Sequence, residues 1–161
     1  MLVGLRGVAY GTGLALAELA MVRAHSVFIG TPSLAVGSEI ADWVRALGYE
    51  VELSSDGGFA VEALLHRGAF AASFLDIQLG AAEGQTAWRV VRPVVGRRLV
   101  LMARERTNEL WFEALRCGVG SVLPLPPARP MVEAALTAVT AAWRDGSEGR
   151  GEEKSCRPSS P

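Results

Sequence analysis

The sequence predicts a doubly wound α/β domain, with a five-stranded parallel sheet between two layers of helices. Three observations predict it. Short apolar runs alternate with segments of helical period from about residue 26 to residue 143. Glycine, proline and aspartate mark the points where one kind of segment gives way to the other. One apolar run, Ser73-Phe74-Leu75-Asp76-Ile77-Gln78-Leu79-Gly80, carries a lone carboxylate at its far end. A lone buried carboxylate is costly, so Asp76 belongs at the C-terminal mouth of its strand, where open α/β sheets gather ligands and chemistry.

Each element has its own signal. Ser26–Gly30 is short, apolar and bounded, and so predicts a strand. Val36, Ile40, Trp43 and Leu47 then recur at helical spacing, with Gly48 as a stop. Tyr49–Leu53 alternates as a strand does, and Asp56-Gly57-Gly58 turns into a helix over Phe59–His66. The Asp76 strand follows, then a helix from about Gln85 that Pro93 should end. Leu99–Ala103 is the fourth strand. Thr107 is placed to cap a helix running to Cys117 and stopped by Gly118. Ser121–Leu123 is a short fifth strand, and a proline-rich turn over residues 124–130 leads into a last helix, roughly Met131–Trp143. Crossovers between parallel strands are right-handed, which makes a flavodoxin-like strand order the most economical arrangement.

Length and composition bound the rest. With 161 residues, half of them apolar and a fifth charged, the chain holds one sizeable core. The expected organisation is an N-terminal extension over 1–24, a domain over 25–143 and a disordered tail over 144–161. Leu14–Arg23 has the pattern of a short helix, but Glu18 interrupts it, and it falls well short of the ~20 apolar residues of a membrane span. A net charge of −1 gives no electrostatic case for nucleic acid or for an anionic membrane. Cys117 and Cys156 show no metal-type spacing, suggest no disulfide framework and fit a reducing cytoplasm.

Residue patterns for known chemistries are absent. Ser73 lies in no Gly-x-Ser-x-Gly elbow, and Gly11-Thr12-Gly13 is not followed by Gly-Lys-Ser/Thr. His25 and His66 have no catalytic partner nearby in sequence, and His66 is placed to interact with a helix end. Arg97-Arg98 reads as a solvated basic turn. Trp43 fits the core stripe of its helix, while Trp88 and Trp143 read as packing residues at helix edges. Phasing from Ala114 and Leu115 turns Phe112 inward and Trp111 outward, so that Trp111 is either a partly buried aromatic lying along its own helix or a partner anchor on the face of the fourth helix, fifth strand and fifth helix.

Residues 26–142 resemble the receiver domain of response regulators in bacterial two-component signalling. The resemblance rests on Leu47-Gly48-Tyr49-Glu50-Val51, on Asp56-Gly57, on Leu75-Asp76 with Gly84 eight residues on, and on Ala114-Leu115-Arg116-Cys117-Gly118. Pro126 or Pro127 after the fifth strand completes it. The resemblance implies that Asp76 stands at the phospho-acceptor position. It further implies Mg²⁺, held by an acidic pair after the first strand, by the acceptor Asp and by the carbonyl of Gln78. A Ser/Thr after the fourth strand and a lysine after the fifth would hold the phosphoryl oxygens.

The chain departs from that pattern at each supporting position. The acidic pair falls on Thr31-Pro32, and no Asp or Glu lies between Glu18 and Glu39. The Ser/Thr position falls on Ala103, or on Met102 with a one-residue slip, the aromatic switch on Val122, and the lysine on Leu125 or Pro126; the only lysine is Lys154. Arg104 is the nearest cation in sequence, so an Arg104–Asp76 ion pair is the expected neutraliser. These departures predict an atypical stand-alone receiver that works by protein–protein contact, is not an enzyme and takes no cofactor, Mg²⁺ included. The expected partner is a histidine kinase or another signalling protein, not nucleic acid or membrane. A homodimer through the fourth helix, fifth strand and fifth helix is a further expectation. The alternatives are a phosphorylation-independent interaction module and a small-ligand-binding flavodoxin-like domain.

Overall fold

The computed structural model describes residues 25–66, 70–105 and 107–144. In chain order the elements are β1 (Ser26–Gly30), α1 (Leu34–Ala46), β2 (Glu50–Ser54), α2 (Gly57–His66) and β3 (Ala72–Asp76). They continue with α3 (Ala87–Val95), β4 (Leu99–Ala103), α4 (Asn108–Arg116), β5 (Ser121–Pro124) and α5 (Arg129–Arg144). All neighbouring strands pair in parallel, in the order β2-β1-β3-β4-β5. This is the flavodoxin-like order that the alternating pattern predicts.

Two packed layers explain the burial. Val27, Ile29, Phe74, Val100, Met102 and Leu123 face α1 and α5. Phe28, Leu75, Leu99, Leu101 and Val122 face α2, α3 and α4 on the other side. β1, β3 and β4 are covered on both faces and are buried along their whole length, which is why they read as unbroken apolar runs. β2 and β5 form the edges and are partly exposed.

Local chemistry sets the helix limits. The Ser33 hydroxyl accepts the Val36 N–H at 3.4 Å and caps α1, and Gly48, at φ +93°, closes the turn after it. Asp56 caps α2 through the Phe59 N–H at 2.7 Å. The Thr107 hydroxyl accepts the Leu110 N–H at 3.2 Å, and Gly118, at φ +79°, follows α4. The capping and stop positions read from Gly48, Thr107 and Gly118 are thus occupied as expected, while Asp56, expected only as part of a turn, also caps α2, which begins at Gly57 and not at Phe59.

Other boundaries move. α3 begins at Ala87 and carries Pro93 inside it, ending two residues later at Val95, with Gly96 as its C-cap. Pro93 lacks only the N–H that would reach back one turn, and so near the helix end a single missing bond is tolerated. Trp88 is buried in the core, not at a helix edge. Cys117 is disulfide-bonded, against the expectation of no disulfide framework. The expectations for 1–24, for the tail beyond residue 144 and for the Trp143 side chain also lie outside what is described. Among the described residues, no helix is long and apolar enough to cross a membrane.

Candidate functional site at the strand mouth

Strand register brings the site together. Gly30 pairs with Leu75, so the residue after β1, Thr31, stands beside Asp76. Asp76 pairs with Met102, and Ala103 pairs with Pro124, which carries Leu125 to the same end of the sheet. Four positions singled out by the sequence (Thr31, Asp76, Ala103 and Leu125) therefore meet at the C-terminal ends of four adjacent strands. Pro32, next to Thr31, is exposed, and Val122 is buried in the core under α4.

The Asp76 carboxylate is only 5% exposed and is held by two donors. The Gln78 backbone N–H donates to Oδ1 at 2.9 Å. The buried Thr31 hydroxyl donates to Oδ2 at 3.4 Å. Thr31 Oγ1 also accepts the Ser33 N–H at 3.3 Å. These bonds keep a buried carboxylate from being left unsatisfied. Among the described residues no other side chain donates to it: Ala103 has no polar group in its side chain, and the Leu125 backbone N–H goes to the Ala103 carbonyl at 2.9 Å.

The expected Arg104–Asp76 ion pair is not formed. Arg104 follows β4 in a bend and is exposed, and among the described residues no cation lies within ion-pair distance of Asp76. The reason is that Asp76 has neutral donors closer at hand, whereas drying a guanidinium beside it would add a second desolvation cost. Among the described residues, no group of three or more His, Cys, Asp or Glu converges where a metal could be held.

The assignment on α4 is reversed. Phe112 is 70% exposed, while Trp111 is half-buried against the core. Ala114 is the one buried residue of this helix; Trp111, three positions earlier, shares its face, and Phe112, two positions earlier, falls on the opposite side. Leu115, three after Phe112, is 44% exposed on that outer side, so it was the wrong residue to phase from. Thr31, expected only as the place of a lost acid, is itself a partner of Asp76. The signal was present: a hydroxyl immediately after a buried strand, two residues before the α1 cap.

Neither a protein-family model nor a curated protein matches the sequence. Solved structures do match in fold. A response regulator receiver domain protein of the CheY-like type from Methanospirillum hungatei is 16% identical, with 75% of this chain and 98% of that one covered and a TM-score of 0.62. The receiver domain of the sensor histidine kinase PA1611 from Pseudomonas aeruginosa, solved with magnesium in its active-site cleft, is 22% identical. There 71% of this chain and 97% of that one are covered, with a TM-score of 0.59. A Burkholderia pseudomallei protein described as pilus assembly-related is 18% identical, with 74% and 92% covered and a TM-score of 0.59. The fold is therefore that of CheY-like receiver domains, at low sequence identity. It extends over the described core of the chain.

Proposed function

We propose that this chain is an atypical receiver-type signalling module that works by protein–protein contact, without phosphoryl transfer and without catalysis. The carrying observation is the environment of Asp76. Its two oxygens are engaged by Thr31 and by the Gln78 N–H, and the residues that follow β1, Thr31-Pro32-Ser33, bring no second carboxylate to it. Mg²⁺ takes an octahedral oxygen shell that usually includes one or two carboxylates together with water or phosphate oxygens. At this mouth the surroundings are a threonine hydroxyl, an amide hydrogen, an alanine and a leucine, which do not fit that ion. No step is therefore assigned to a metal.

The contact surface that supports this reading is the outer side of α4, where Phe112 and Leu115 are exposed. Exposed aromatic side chains are frequent anchors of protein interfaces. A histidine kinase, another signalling protein or a second copy of the chain would be received there. The neighbouring folds include both receiver domains and a pilus assembly-related protein, and a shared fold does not select one chemistry.

Incubation with acetyl phosphate and Mg²⁺, followed by intact-mass measurement, tests the proposal. The expected result is an unchanged mass. A phosphoryl adduct on the native chain that Asp76→Asn lacks would overturn it.

A further inference from the structure

We infer that Thr31 is a positioning residue that couples Asp76 to the first turn of α1, so that the strand mouth is a preset latch made of protein groups alone. The coupling follows from which way the side chains point. Successive strand residues alternate between faces. Asp76 shares the face of Phe74, two residues earlier, and Thr31 continues the alternation of Val27 and Ile29; all three of those apolar residues face α1 and α5. Asp76 and Thr31 are therefore turned to the α1/α5 side of the sheet, away from α4.

From there the bonds run in one direction. Thr31 Oγ1 donates to Asp76 Oδ2 and accepts from the Ser33 N–H, and the Ser33 hydroxyl in turn accepts the Val36 N–H and caps α1. The Thr31 backbone N–H is tied to the Ser54 carbonyl of β2 at 3.1 Å. The other branch of the Thr31 side chain is fixed independently: a Cβ at Gly37 would come within 2.9 Å of the Thr31 methyl carbon, so α1 rests directly on it. With both branches engaged, the Thr31 rotamer is set, and the hydroxyl is held toward Asp76. A carboxylate on β3 thus governs the start of a helix more than 40 residues earlier in the chain. On the α4 side, Ala103 ends β4 with no group to carry a comparable link.

Native-state hydrogen exchange of the full chain tests this, and it is read without any partner or phosphate donor, so its outcome is separate from that of the phosphorylation experiment. Thr31→Val, Thr31→Ser, Asp76→Ala and the double variant Thr31→Val/Asp76→Ala are compared with the native chain. Loss of a hydrogen bond to a charged group is expected to raise exchange at the bonded amides of Ser33, Val36 and Gly37 about tenfold in Asp76→Ala and in Thr31→Val. Thr31→Ser, which keeps the hydroxyl, should stay close to native. The double variant should be no faster than either single one, because both remove the same link. Amides of residues 108–116 should be unaffected. The inference is overturned if Asp76→Ala leaves the amides of Ser33, Val36 and Gly37 protected, if it speeds exchange equally in α4, or if the two substitutions add. Thr31→Val is nearly isosteric and keeps the measurement available should Asp76→Ala fail to fold; in that variant faster exchange must also reach the Gln78 amide, and its absence overturns the inference.

Discussion

Gly57 lies so close to the carbonyl oxygen of Gly80 that a Cβ at Gly57 would overlap it. The start of α2 is thereby pressed onto the loop after β3, the same loop that supplies the Gln78 N–H to Asp76. Gly57→Ala must push backbone against backbone, with no flexible side chain to yield. A loss of about 1–3 kcal/mol in urea denaturation is expected. Gly80→Ala is the control: nothing lies within 4 Å of the Cβ it would add, and its effect should stay within about 1 kcal/mol. A neutral Gly57→Ala would show that the two segments do not approach as described.

Trp111 and Phe112 separate stability from surface. Trp111→Ala removes a half-buried ring from the core under α4 and should cost roughly 1–3 kcal/mol, less than a fully buried tryptophan. Phe112→Ala should change stability by no more than about 0.5 kcal/mol, because that ring is mostly in water. The two denaturation midpoints decide it. The reverse order would restore Trp111 as the outward residue.

Thr107 makes the first capping bond of α4, to the Leu110 N–H. Thr107→Ala should lower stability by about 1 kcal/mol, and Thr107→Asp, which can accept the same hydrogen bond, should recover most of it. Thermal melts of both variants give the comparison. Equal losses in the two would show that the hydroxyl is not the source of the effect.

Arg89 and Glu113 bridge α3 and α4 at 2.7 Å, and Arg92 reaches the Cys117 carbonyl at 3.1 Å. The ion pair is partly exposed, so solvent screens it. A double-mutant cycle of Arg89→Ala and Glu113→Ala should return a coupling of about 0.2–1 kcal/mol. The coupling should shrink toward zero near 1 M salt, where the Debye length is about 3 Å. A coupling that persists at high salt would mean that packing, including the Arg89 guanidinium over Trp88, holds the helices together.

The order of elements was legible in the sequence because it depends on local period and on punctuation by particular residues. Three strands that end up covered on both faces appear as unbroken apolar runs, and Gly48, Asp56, Thr107 and Gly118 mark helix ends by backbone and capping chemistry alone. The position of Asp76 at the end of its strand was equally readable, because a carboxylate is costly anywhere deeper. The partner of that carboxylate was not. Sequence proximity pointed to Arg104, whereas register between β1 and β3, a property of two segments paired in space, set Thr31 beside it. The outward face of α4 escaped for a related reason: its short amphipathic pattern admits two phases, and only the position of Ala114 under the sheet chooses between them. Local patterns fixed the order of the elements and several helix ends, though not the limits of α2 and α3, and packing between distant elements decided which side chains meet.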